Sequence, residues 1–467
     1  MATRILRFPV SEWLEPEAVF LAAFADEPYV AWLDAGADAE SGVSVIAAAT
    51  ESSRFATASV AHGTVSVGRP GESAAAFAGD ILHYLEASLE PFGDLVPRYP
   101  EATDFSLGWI GWLGYEYGAA ANGVPVAPTR LADAAMLFVG RAVVFDHATR
   151  AVELIALDEA GATEWADDLR ARLAASVRPD AGSRASLSVR APGAVALRWR
   201  HDGDAYLRLI AECQEAIRRG DAYQLCLTNE ATVDTIVDPI EAYLRLRASS
   251  PTHHGGLLKF GDIALLSSSP EQFLSITPGR RIRTKPIKGT RPRGATVSRD
   301  LDLRAELEAS DKERAENVMI VDLMRNDLGR VCVVGSVEVH HLLAVESYAQ
   351  VHQLVSTVEG VLADGIGPLT AVAACFPAGS MTGAPKISAM RILHGLETGA
   401  RGIYSGCFGY LGLDGSVDLA MVIRSIVVEP ERASIGAGGG ITALSVPEEE
   451  LDEVAVKASA LIAALGL

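Results

Sequence analysis

Lysine is nearly missing from this sequence. Of 40 basic residues among 467, six are lysine (Lys259, Lys285, Lys288, Lys312, Lys386 and Lys457), and all lie in the second half of the chain. Where arginine meets almost every surface need, a retained lysine marks a position that wants an amine able to lose its proton and attack carbon. Drift in an arginine-rich genome is the competing explanation. Cysteine is sparse as well: Cys213, Cys226, Cys332, Cys375 and Cys407 are far apart with no CxxC pair. That excludes a disulfide framework and a Cys-based zinc site. Net positive charge is absent, the formal balance being −20, which argues against binding nucleic acid or an anionic membrane surface. An anionic substrate would therefore need a locally positive pocket. No run approaches the roughly 20 apolar residues of a membrane-spanning helix. The N-terminal MATRILRFPVSEW lacks the apolar core of a secretory signal, so the cytoplasm is the expected location.

What is present is length and apolar content. With 49% hydrophobic and 21% charged residues, the chain can bury a large core and suits two domains or one large composite. Residues 25 to 60 alternate short apolar runs with small and acidic residues, and residues 135 to 157 read as two strands around a turn. The Ser/Pro/Gly/Arg-rich stretch from 176 to 196 reads as a linker, dividing residues 1–180 from a catalytic 181–467. Beyond it, Leu207, Ile210, Cys213 and Ile217 have helical spacing that Gly220 should stop, and the strand YQLCLTNEATV should follow. Without a regular βαβ beat, the pattern predicts an α+β fold with large antiparallel sheets packed as a sandwich and helices around them.

Three segments carry candidate chemistry. TKPIKGTRPRG holds Lys288 between a β-branched residue and a glycine, among stiffening prolines; alone it also reads as a solvated loop. SSSPEQF sets Glu271 just past an apolar strand. DKERAENVMIVDLMRNDLGR reads as a helix with Glu313 and Glu316 on one face, and PEEELDEVAVKASAL as another with Glu450, Glu453 and Lys457 aligned beside an apolar stripe. First-turn acids can merely complement a helix dipole. Two carboxylate pairs on separate helices suit Mg²⁺, a hard cation that keeps waters and completes its shell with an anionic substrate. The run GAGGGIT, between a strand and the second acidic helix, is expected to expose backbone N–H groups to an anion, with Arg424 on the preceding strand adding a guanidinium.

Taken in order, SPEQF, PIKGTRPRG, AENVMIVDLMRNDLGR, VHQLVSTVEG, FPAGSMTGAPK, GIYSG, IRS, GAGGGI and EEELDEVAVKA resemble the chorismate-utilising family of anthranilate, aminodeoxychorismate, isochorismate and salicylate synthases. The resemblance covers about residues 200 to 465 and is specific in order and spacing. The N-terminal third fits less closely, through WLDAG, SGVSVIA and FSLGWIGWLGYE. Within the family, alanine fills the PIxGT slot of the anthranilate, isochorismate and salicylate synthases, whereas the aminodeoxychorismate synthases carry lysine, as at Lys288. Gln224 stands where water-using members place a lysine base.

The resemblance implies a chorismate-binding enzyme fold and amination of chorismate at C4 to 4-amino-4-deoxychorismate, on the folate route to p-aminobenzoate. Lys288 would be the covalent nucleophile and Glu271 the general acid, with His352 over the ring. Glu316 and Glu453 would bind Mg²⁺, with Glu313 and Glu450 close by. Gly289, Thr290 and Lys457 would hold the ring carboxylate, and Tyr404, Arg424 and the amides of Gly438, Gly439 and Gly440 the enolpyruvyl carboxylate. No segment resembles a glutaminase, so ammonia is expected from a partner subunit or free ammonium. To attack, Lys288 must be neutral, and burial beside positive charge is expected to lower its pKa.

Overall fold

The computed structural model describes residues 4–99, 101, 104–176, 196–348 and 351–467. The proposed linker at 176–196 lies almost wholly outside them. Two antiparallel sheets, each of 12 strands, form the frame, the sandwich architecture that the alternating pattern predicts. Both sheets draw strands from both ends of the sequence. In the first, Tyr29–Asp34 pairs with His254–Phe260; in the second, Gly108–Leu113 pairs with Cys407–Gly412.

Two apolar clusters hold the layers. One fills the space between the sheets, around Trp109, Phe138, Phe273 and Phe408. The other lies between the first sheet and the helices on its outer face, around Trp32, Tyr206, Leu225 and Leu461. The helix Gly203–Arg218 shows how sequence sets this outer layer. Asp202 caps it by accepting from the Ala205 N–H at 2.8 Å, Tyr206, Ile210 and Cys213 are buried along one stripe, and Gly220 follows at φ +84°. The strand Gln224–Val233 comes next, as its sequence suggests.

One expectation is corrected. Residues 135 to 157 contribute three strands, Ala134–Val139, Arg141–Asp146 and Ala151–Leu157, because the chain passes from one sheet to the other at Gly140. The glycine run is itself a strand: Gly436 to Gly440 lie inside Arg432–Ile441. A strand of glycines is intrinsically weak, but its full-length ladder with Gln224–Val233 overrides the local preference.

All five cysteines are free and buried. No helix among the described residues is long and apolar enough to cross a membrane.

Candidate active site

The chain crosses between the sheets twice at one corner of the sandwich. It passes from Ile263–Ser269 to Gln272–Ile276 through Glu271, and from Val417–Met421 to Ser425–Glu429 through Arg424. The crossings are hydrogen-bonded side by side: Met421 N–H donates to Glu271 O at 3.0 Å and Ser268 N–H to Arg424 O at 3.1 Å. Arg424 sits in this turn at φ +50°, not on a strand. Leaving one sheet for the other frees both side chains from the pleat.

Lys288 faces the corner from the strand Ile287–Pro292, which is built in where the sequence also allowed a solvated loop. It is half-buried, and no described residue hydrogen-bonds it. Burial opposes its charge, but Cys226, Glu316, Glu271 and Glu453 outweigh burial and raise its pKa above the usual 10.5. The expectation of a depressed pKa is thereby corrected: four groups that favour the ammonium surround it. Burial raises the pKa of Glu271, against the pull of Lys288, Ser380 and Lys457.

The helices Asp311–Gly329 and Pro447–Ala464 bring their carboxylates to the same place. Burial, reinforced by Glu450 and Glu453, raises the pKa of Glu316 against Lys288 and Lys312. Glu316 forms no ion pair with a described residue. Burial also pushes Glu453 up, but Lys457, at 2.6 Å, Lys288 and Lys312 bring it below the ordinary range. The inner members of the two pairs are taken by cations: Glu450 is 3.2 Å from Lys312 and Glu313 is 2.7 Å from Arg291. Among the described residues no three His, Cys, Asp or Glu side chains are grouped as a ready metal cage. Two oxygen donors on facing helices, Glu316 and Glu453, fit a cation that keeps its waters and takes one or two carboxylates.

Anion-binding groups lie along the glycine strand. The amides of Cys226, Thr228 and Glu230 are directed away from it, the first two to Thr382 O and Glu397 and the Glu230 carbonyl to Arg200 N–H. Their register partners Gly440, Gly438 and Gly436 therefore turn their own N–H and C=O groups outward. That edge has lost its strand partner, because Ser425–Glu429 pairs no further than Ile435. Lys457 Nζ accordingly donates to Gly438 O at 2.7 Å. Gly438 and Gly440 thus offer amides at the edge, while alternation turns the Gly439 amide toward Leu227. The glycines are also sterically required: a Cβ on Gly436 would lie 2.1 Å from the Tyr404 ring and one on Gly440 2.2 Å from Gln224 Nε2. Arg424 is open to solvent at the mouth of this recess, and its protein walls still lower its pKa by desolvation, against Tyr404 and Glu453.

The remaining residues are placed as follows. Gly289 has φ +87° against Leu307 and Glu313, and Thr290 is exposed. His352 is buried, with Nδ1 2.8 Å from Ser347 Oγ and Nε2 3.0 Å from Asp300, and hydrogen-bonds neither Lys288 nor Glu271. Sequence reasoning gave no role to three groups here, Cys226, Lys312 and Ser380, and marked Gln224 only by resemblance. Cys226 is the thiol that Lys288 senses, and Lys312 is the partner of Glu450. Ser380 has a buried hydroxyl against the Glu271 carboxyl without the geometry of a full hydrogen bond. Gln224 is fully buried with both amide atoms unpartnered. Alternation along YQLCLTNEATV would have put Gln224, Cys226 and Thr228 on one face; only their contrast with the apolar outer face marks them.

Comparisons with known proteins bear on the family and the fold. The chain matches the chorismate binding enzyme family over residues 35–463. It is 47% identical over 413 residues to an aminodeoxychorismate synthase of Streptomyces griseus, covering 88% of this chain and 56% of that protein. It is 41% identical over 464 residues to the aminodeoxychorismate synthase of Streptomyces pristinaespiralis, covering 97% and 64%. The chain thus spans less than two thirds of the length of either relative. Among solved structures, anthranilate synthase component I from Streptococcus pneumoniae superposes with a TM-score of 0.75 at 26% identity, covering 91% of this chain and 92% of that one.

Proposed function

Because the chain belongs to the chorismate binding enzyme family, we propose that it aminates chorismate at C4, giving 4-amino-4-deoxychorismate, with Lys288 as covalent nucleophile and Glu271 as acid. The observation that carries this reading is the amine at position 288, held among Glu271, Glu316 and Glu453 at the corner where both sheets meet. Arginine, always protonated, could not serve there.

In the resting arrangement Lys288 carries a proton and Glu271 favours taking one, so moving one proton from amine to carboxylate arms both groups. Lys288 Nζ then bonds to C2, the double bond shifts, and the C4–O bond breaks as Glu271 gives its proton to the departing hydroxyl, leaving as water. Ammonia bonds to C4, the double bond returns, and the C2–N bond to lysine breaks. Glu316 and Glu453 would hold Mg²⁺, which supplies a counter-ion for the ring carboxylate and offsets the carboxylate charge that keeps Lys288 protonated. Gly289, Thr290 and Lys457 would complete that carboxylate's site. The outward amides of Gly438 and Gly440, with Tyr404 and Arg424, would take the enolpyruvyl carboxylate. The amide of Gln224, a donor and an acceptor with no protein partner, suits an incoming ammonia and is no base for water. A glutaminase would supply the ammonia in a cytoplasmic setting.

A second reading is anthranilate formation by amination at C2, favoured by the fold likeness to anthranilate synthase component I. Incubation with chorismate, Mg²⁺ and an ammonium salt, with products separated, distinguishes the two. The 4-amino product is expected; strong anthranilate fluorescence without it reverses the assignment. Neither product, with chorismate still bound, would leave a non-catalytic regulator of a glutaminase. Mass spectrometry without ammonia should find chorismate carbon on Lys288.

A further inference from the structure

Resting on that reading, we infer that Arg401 is a positioning residue for the substrate site, clamping in register the three backbone segments that face the substrate. It is buried, with 1% of its side chain exposed, and its guanidinium is used in full. Nε and Nη2 donate to Glu397 at 2.8 and 2.6 Å, Nη1 to Met381 O at 2.6 Å, and Nη2 to Cys226 O at 2.8 Å. The face of the group lies 4.3 Å from the centre of the Tyr115 ring. Each bonded carbonyl belongs to a segment of the site. The Cys226 thiol lies near enough to Lys288 to act on its charge, Met381 follows the Ser380 that abuts Glu271, and Arg401 itself begins the turn that carries Tyr404.

Two carboxylates fix the clamp. Glu397 accepts from Thr228 N–H at 2.9 Å on the same strand as Cys226. Glu116, from the N-terminal half of the chain, accepts from the Arg401 and Gly402 N–H groups at 2.7 and 2.8 Å. A planar five-donor group can hold three chain segments at once, which a lysine ammonium cannot reproduce in that geometry. None of these bonds is made to a residue assigned to the substrate, so Arg401 acts through the placement of Tyr404, Cys226 and Ser380.

The test is Arg401→Lys in the full chain, with Glu116→Gln, which loosens only the Tyr404 turn, as the second variant should the first fail to fold. Chorismate dissociation constants are read by calorimetry, and KM and kcat with ammonium chloride. Arg401→Lys should weaken chorismate binding and raise KM about tenfold or more while kcat falls less. In a Tyr404→Phe background part of that increase should disappear, because the two changes share that side chain. Unchanged binding in a folded variant, or full additivity with Tyr404→Phe, overturns the inference. Binding is measured without turnover, so a failed amination assay would count against the proposed reaction and leave this test intact.

Discussion

Two charge clusters flank the same strand, Gln224–Val233, and are built on opposite terms. Around Arg401 every group is answered: Glu397 takes the guanidinium in two bonds, and the remaining donors reach the Met381 and Cys226 carbonyls and Ser405 Oγ. Around Lys288 little is answered. The amine has no hydrogen-bond partner among the described residues, Glu316 has no ion pair, Ser380 and Gln224 keep unpartnered polar atoms, and Arg424 stands open to solvent. An unsatisfied buried polar atom costs about 1–3 kcal/mol, so a fold tolerates such a cluster only where a ligand completes it. Both clusters contain buried charge; only the incomplete one marks the site.

Substituting across the two clusters sharpens this contrast most. Lys288→Ala should abolish product formation, by on the order of 10³-fold or more as for other covalent nucleophiles, with the melting temperature within a few degrees of the parent. Arg401→Met should do the reverse to stability, costing about 3–5 kcal/mol because Glu397 is left buried and unpaired. Thermal melts and product assays on both proteins check the pair. A Lys288→Ala protein that unfolds, or one that still turns over, erases the distinction.

How far the sequence reveals this site depends on whether the signal is local. The acidic helices were legible because Glu313/Glu316 and Glu450/Glu453 sit at helical spacing, and Lys288 because lysine is scarce. The helix Gly203–Arg218 and the strand after it were legible from periodicity and Gly220. What stayed hidden is non-local. That the glycine run forms a strand shows only through its ladder with Gln224–Val233, and which of its amides face outward depends on that register. The raised pKa of Lys288 depends on carboxylates from segments far apart in sequence. Arg401 looks like any arginine before a glycine; its role appears only once Cys226, Met381 and Glu116 converge on it.

The next effect is on the acid. Glu271→Gln should lower kcat with ammonium by roughly 10²–10⁴-fold, the usual worth of a placed general acid. The reactive Lys288–Glu271 pair holds one proton, carried at rest by Lys288, and burial lifts the Glu271 pKa above the usual 4.5. Below the raised value both groups are protonated and the amine cannot attack, so kcat rises as pH rises through it, at higher pH than an exposed glutamate would give. Measured across pH, the parent should show this ascending limb and Glu271→Gln should lack it. A limb that survives the substitution belongs to another group.

The smallest effect returns to the satisfied cluster. Burial pushes Glu116 up to about 7 from 4.5, against the pull of the Arg401 and Gly402 amides and the Arg401 charge. A carboxyl with a raised folded pKa binds its proton more tightly in the native state. Its contribution to stability is full below 4.5 and is lost as pH rises through about 7. Across that window the parent should lose on the order of 3 kcal/mol from this group alone. Glu116→Gln carries no titrating proton, so its denaturant midpoint should be flatter between those limits. Its carboxamide can accept from only one of the two backbone N–H groups, so the variant should start about 1 kcal/mol lower at acid pH and overtake the parent as pH rises. Parallel stability curves would mean that Arg401, although paired with Glu397, keeps Glu116 ionised throughout, making the satisfied cluster insensitive to pH.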